Sequence, residues 1–205
     1  MMEEKYVIAA GALSEANKKE IGELEAQGYR LAAKNKMLRH RVPKAGSDIE
    51  KDFVSRHMRW VGFQTLINEN LHLEYCDTPE LAEKVCALWK SELKPTDIPE
   101  EHFDFLNDPD TVVLCATDDS GNVAGAAWLH FSGKNAEKRH IVTAPEWRRK
   151  SVAYALENAV LAECILRGSV SLNTWVAEDN LPSLGLHEKM GYQDTGAVSW
   201  QFVKD

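Results

Sequence analysis
Hydrophobic positions along this chain switch between a helical spacing of three to four and a strand spacing of two, and the switches mark its elements. Near the N-terminus, Tyr6–Ala10 reads as a strand and Ser14–Gln27 as a helix. After Gly28 the chain reads as extended over Tyr29–Ala33 and again over Met37–Val42, until Pro43 and Gly46 break the pattern. Ser47 then opens a helix over 47–67 with capping-box spacing to Glu50. Ile49, Phe53, Trp60, Phe63 and Ile67 share one face of it. Such a stripe needs an apolar surface in its own domain, the next domain or a second chain.

From Leu71 onward the punctuation is sharper. Leu71–Cys76 alternates as a strand, and Asp77-Thr78-Pro79 caps a helix with Leu81, Val85, Leu88 and Trp89 on one face. A short helical piece, Glu100–Leu106, follows Pro99. Three strands come next, Thr111–Thr117, Val123–Phe131 and Ala136–Thr143, joined by the turns Asp118–Asn122 and Ser132–Asn135 and therefore antiparallel. A helix over 150–167 carries Val152, Ala155, Leu156, Ala159 and Leu166 on one stripe, with Glu163 as a polar intruder and Gly168 as its stop. A strand at Ser169–Val176, a helix at Pro182–Met190 and a strand at Val198–Val203 complete the order. The class is mixed α/β, a mostly antiparallel sheet flanked by helices. Residues 1–68 are expected to form an N-terminal α/β extension, and 70–205 the main domain.

Composition narrows the function classes. The 205 residues, 44% of them hydrophobic, suffice for one packed domain with an extension. Charge leans acidic, 24 Lys and Arg against 32 Asp and Glu, which argues against nucleic acid as a general partner. Cys76, Cys86, Cys115 and Cys164 are widely spaced with no metal-type pair, so reduced, mostly buried thiols and no metal are expected. The acidic start Met1–Lys5 lacks the pattern of a signal peptide, and no apolar stretch reaches membrane-spanning length. A cytoplasmic protein without a membrane partner is expected.

Candidate chemistry gathers at Val142-Thr143-Ala144-Pro145-Glu146-Trp147-Arg148-Arg149-Lys150-Ser151-Val152-Ala153. A strand ends at a proline turn, and a basic loop opens straight into a helix. Backbone N–H groups at that helix start, beside three cationic side chains, make a seat for a phosphate-bearing ligand. Downstream, Asn180 stands at a helix cap, and Asn180, Ser183 and His187 share one stripe before Gly191-Tyr192.

Together these two segments and the element order resemble the GCN5-related N-acetyltransferase (GNAT) family over residues 70–205. The family's cofactor loop, R/Q-x-x-G-x-G/A, reads here as Arg148-Arg149-Lys150-Ser151-Val152-Ala153, and Asn180, Ser183, His187 and Gly191-Tyr192 match its later signature. Two departures stand out: Ser151 replaces the usual glycine, and His187 stands where many relatives carry a tyrosine general acid.

The resemblance implies acyl transfer from acetyl-CoA or another acyl-CoA to a primary amine, on a small molecule or a peptide. It places the diphosphate on the N–H groups of residues 149–153 beside Arg148, Arg149 and Lys150. Pantetheine would run along Val142, Thr143 and Ala144, with Asn180 and Ser183 also on the cofactor. His187 would protonate the leaving thiolate. For the base that deprotonates the amine, His140, Glu137, His130 and a relayed water stay open; simple alternation puts Glu137 and Arg139 on one strand face and His140 on the other. Two alternatives stand beside this reading: a fold relative that has lost catalysis and only binds or regulates, and an acyltransferase whose acceptor is a protein or aminoacyl-tRNA. For residues 1–68 the expectation is packing on the main domain or a homodimer contact.

Overall fold
The structure, a computed structural model, describes residues 3–43, 71–93 and 100–204. In chain order the elements are β1 (Glu3–Ala9), α1 (Glu15–Ala26), β2 (Arg30–Arg41), β3 (Leu71–Tyr75), α2 (Pro79–Glu92) and a 3₁₀ segment (Glu100–Asn107). There follow β4 (Thr111–Asp118), β5 (Val123–Ser132), β6 (Asn135–Thr143), a 3₁₀ turn (Pro145–Trp147), α3 (Val152–Leu166), β7 (Ser171–Ala177), α4 (Leu181–Lys189) and β8 (Gln193–Lys204). The class is the expected one, mixed α/β with antiparallel pairing through both hairpins and along β1, β2 and β8. The helix expected over 47–67 lies outside the described residues. Among the described residues, no helix is long and apolar enough to cross a membrane.

The chain divides into two compact units. One comprises residues 1–40 and 173–205. Its strands run in the order β1-β8-β2-β7. β1 lies antiparallel to β8 from Glu3↔Lys204 to Ala9↔Val198, and β2 takes the other edge of β8 from Arg30↔Val203 to Arg39↔Gln193. Two register shifts, at Leu31/Ala33 and Lys36/Leu38, carry β2 through the whole span in which the sequence reads two separate extended pieces. Val7, Ala9, Leu24, Tyr29, Trp200 and Phe202 form the core under α1.

The second unit comprises residues 41–172, with strands in the order β6-β5-β4-β3. The two hairpins have the expected antiparallel registers, Cys115↔Ala126 for β4–β5 and Ala126↔Val142 for β5–β6. One face packs on α2 and the 3₁₀ segment through Val85, Trp89, Phe105, Val113, Cys115 and Trp128. α3 is buried more broadly than one stripe: besides Val152, Ala155 and Leu156, it buries Glu157, Asn158 and Glu163. These polar groups are partnered. Glu157 takes an ion pair from the fully enclosed Lys138, the Asn158 amide donates to the Tyr154 carbonyl (2.7 Å), and Glu163 accepts from Tyr75 (2.7 Å) and Arg167 (2.7 Å). Burial pushes the Lys138 ammonium down, while the Glu157 carboxylate opposes that shift. Leu166, placed on the stripe by spacing, is instead 75% exposed at the fraying end.

The start of α3 is seated by a glycine. A Cβ on Gly125 would lie 2.8 Å from the Val142 carbonyl oxygen and 2.9 Å from a Val152 methyl. Only a residue without a side chain lets β5 and the first turn of α3 come this close.

Candidate active site
β6 leads into the basic loop through Ala144, whose N–H donates to the Ala124 carbonyl (3.0 Å) and whose carbonyl accepts from Trp147 (2.9 Å). Ala144 is buried at 4% exposure, so its amide is committed to the protein's own sheet. Val142 is buried as well, and Thr143, half-buried, lends its carbonyl to Arg148 Nε (3.4 Å).

The loop itself is bent by two left-handed residues. Arg149 (φ 63) and Ser151 (φ 62) are the two non-glycine residues of positive φ among the described residues. With Lys150 between them, the backbone alternates hand, a geometry that turns successive N–H groups toward one side and favours an anion there. Ser151 occupies the N-cap of α3 at ψ 12, and its side chain accepts no hydrogen bond from the helix start. The helix therefore begins with amides that no cap side chain satisfies. Ser151 thus takes a left-handed backbone conformation that a glycine would adopt without strain.

The three cations of the loop differ in what they face. Arg148 is ion-paired with Glu92 at the end of α2, and the Lys150 ammonium sits 4.9 Å above the Trp147 ring. Arg149 is exposed. The Glu92 pairing is invisible to local sequence reading, because the partners lie far apart in the chain.

Strand geometry changes the picture for the candidate bases. β5 and β6 pair Trp128 with His140, Leu129 with Lys138 and His130 with Glu137, so Arg139 is the extra residue of a bulge. Trp128 and His130 lie on one face, and so therefore do their partners His140 and Glu137. Simple alternation, which separates Glu137 from His140, is corrected by this one-residue insertion. The same shift turns Lys138 toward α3 and Glu157.

The face so assembled is compact. His130 stacks on Trp128 at 6.0 Å, His140 lies tilted between Trp128 (6.4 Å) and Trp89 (6.1 Å), and the Arg139 guanidinium covers Trp128 at 4.8 Å. Glu137 accepts from Arg139 Nε (3.4 Å). Beside them opens a recess of about 230 Å³ lined by Asp104, Phe105, Asp108, Thr111, Trp128, His130 and Arg139. Thr111 Oγ1 donates to Asp108 (2.6 Å), and its oxygen faces His130 Nδ1 at 3.4 Å. The Thr111 hydroxyl and the Asp110 amide hold the Asp108 carboxyl below the usual carboxylate range.

Asn180, Ser183 and His187 belong to the other unit. Asn180 Oδ1 accepts from the Ser183 N–H (3.2 Å), the cap that the sequence signals. His187 is 1% exposed and packs edge-on against Tyr192 at 4.8 Å. Its Nδ1 lies 2.7 Å from the Ser183 carbonyl, which can only accept, so Nδ1 carries the proton. The neutral ring then offers only a lone pair at Nε2, and proton donation from Nε2 requires the imidazolium.

The family model described as "Acetyltransferase (GNAT) family" matches residues 74–192, more than half of the chain. Among solved structures, the chain is similar to the GCN5-related N-acetyltransferase from Sphaerobacter thermophilus at 17% identity, covering 99% of this chain and 59% of that one, with a TM-score of 0.64. It is similar to a tandem GNAT protein from the clavulanic acid biosynthesis pathway at 16% identity, 99% and 63% coverage, and a TM-score of 0.60. A GCN5-related N-acetyltransferase-like protein from Streptococcus suis matches at 19% identity, 93% and 69% coverage, and a TM-score of 0.63. The chain thus spans about three fifths of the first two proteins, and at these identities the likeness is one of fold. With the loop, the later signature and the fold in place, the chain belongs to the GNAT family of acetyltransferases.

Proposed function
We propose that the protein is an N-acyltransferase moving an acyl group, acetyl foremost, from acyl-CoA to a primary amine by direct attack in a ternary complex. The observation that carries this is the start of α3: two left-handed residues, amides without a side-chain cap, and Arg148, Arg149 and Lys150 around them. A diphosphate satisfies those amides and is favoured by the helix dipole. Pantetheine would follow β6 past Val142 and Thr143, with Ala144 contributing shape rather than its committed amide.

Chemistry follows from the β5–β6 face. A neutral amine attacks the thioester carbonyl, the C–N bond forms and the C–S bond breaks, the nitrogen gives up one proton and the departing thiolate takes one up. The bulge gathers Glu137, His140 and His130 on the face where such a proton can be taken.

The alternative of a binding-only relative draws its motive from Ser151. That motive is weakened because Ser151 adopts the left-handed conformation instead of distorting the loop. Thiol release from acetyl-CoA in the presence of a primary-amine panel tests the proposal. Amine-dependent release is expected, and acetyl-CoA binding with no release for any amine would favour the binding-only reading.

A further inference from the structure
The recess beside β4, β5 and β6 has a feature that cofactor binding does not use: a hydroxyl-bridged carboxylate and imidazole at the edge of a cavity. Asp108 holds the Thr111 proton, so the Thr111 oxygen is left to accept from His130 Nδ1. That arrangement selects the tautomer whose Nε2 is the proton acceptor, the logic by which a carboxylate orients a histidine base. His130 keeps a 31% exposed side chain, while the ring is steadied by stacking on Trp128.

Charge in the recess has a definite sign. The groups around His130 are Asp104 on the 3₁₀ segment, Asp108 in the turn after it, and Glu137 and Arg139 on β6. The Arg139 guanidinium acts on Asp108 as well as on Glu137, and this one cation stands against three carboxylates, Asp104, Asp108 and Glu137, so the balance is negative. A protonated amine is drawn into such a pocket and an anionic one is turned away.

Resting on the acyltransferase reading above, we infer that this recess is the acceptor subsite, that it takes a cationic primary amine, and that His130, positioned by Asp108 through Thr111, is the base that removes its proton. The ammonium N–H bond breaks toward His130 Nε2, and the nitrogen lone pair so released forms the C–N bond. The thioester C–S pair leaves with sulfur, the acylated nitrogen gives up its second proton as the thiolate takes one up, and the proton held by His130 goes to bulk solvent. His130 is then a catalytic residue, Asp108 and Thr111 are positioning residues, and Asp104 supplies attraction for the cation.

The test uses the full chain, acetyl-CoA, and two probes of equal length and opposite end charge, 1,4-diaminobutane and 4-aminobutanoate. The diamine is expected to be acylated with at least about tenfold higher kcat/KM, a gap that Asp104→Asn narrows. His130→Gln is expected to lower kcat/KM for the diamine about a hundredfold, with acetyl-CoA affinity unchanged. Asp108→Asn is expected to lower kcat more than it raises KM. Should His130→Gln fail to fold, the histidine C–H resonances of the wild type give a second reading, since that of His130 is expected to move on adding the diamine. A His130→Gln rate within threefold of wild type (about 0.7 kcal/mol), equal use of the two probes, or an unmoved resonance would overturn the inference. Acetyl-CoA binding without acylation of either probe would overturn it and leave the acyl-CoA site intact. Absence of acetyl-CoA binding would instead remove the acyltransferase reading on which it rests.

Discussion
Helices α1, α2 and α4 close their own N-termini, and α3 does not. Ser14 forms a reciprocal capping box with Asn17, the Thr78 hydroxyl accepts from the Leu81 N–H (3.3 Å), and the Asn180 side chain accepts from the Ser183 N–H (3.2 Å). At α3 the cap residue is also a serine, the type most suited to the task, yet its backbone is left-handed and its hydroxyl accepts nothing from the helix. The difference shows that cap chemistry depends on backbone hand as much as on residue type. An N-cap in the extended region aims its oxygen at the first turn, whereas a left-handed one turns it away and leaves the amides for an outside anion.

The most forceful way to break this contrast is to reverse a charge at the open start. Arg148→Glu removes a cation and adds an anion beside Glu92, and acetyl-CoA affinity measured by calorimetry is expected to fall about a hundredfold. Next in size, Gly125→Ala drives a methyl into the Val142 carbonyl and the Val152 side chain. Overpacking of this kind costs about 2 kcal/mol, read by urea denaturation, and it displaces the first turn of α3 so that cofactor affinity falls with stability. Smallest but sharpest is a pair of opposite sign. Asn180→Ala removes a working cap and is expected to cost about 1 kcal/mol, while Ser151→Gly removes a left-handed strain and is expected to gain about 1 kcal/mol. If the two substitutions shift the thermal midpoint in the same direction, the contrast between the helix starts fails.

Legibility in the sequence followed the range of the interactions. The β4–β5–β6 hairpins, the α2 stripe and the caps at Thr78 and Asn180 are written in neighbouring residues, and the structure has them where spacing puts them. The departure at Ser151 was legible as a missing glycine, and its left-handed angle is the physical content of that departure. The bulge at Arg139 was not, since alternation assumes a regular ladder and nothing in Glu137–His140 marks the inserted residue. Long-range partners were equally hidden. Glu92 on Arg148, Lys138 on Glu157, and β1 and β2 on the two edges of β8 depend on how the chain returns on itself. The recess around His130 needed all of these scales at once: a hairpin register, a bulge, and the turn at Asp108.

The most direct measurement of the central claim is amide hydrogen exchange along the chain with and without acetyl-CoA. If the open start of α3 is the diphosphate seat, the amides of Arg149 to Ala153 exchange readily in the unliganded protein and are strongly slowed by acetyl-CoA, and Arg148→Glu abolishes the slowing at the same cofactor concentration. Saturating binding that leaves exchange at those five amides unchanged would contradict the account.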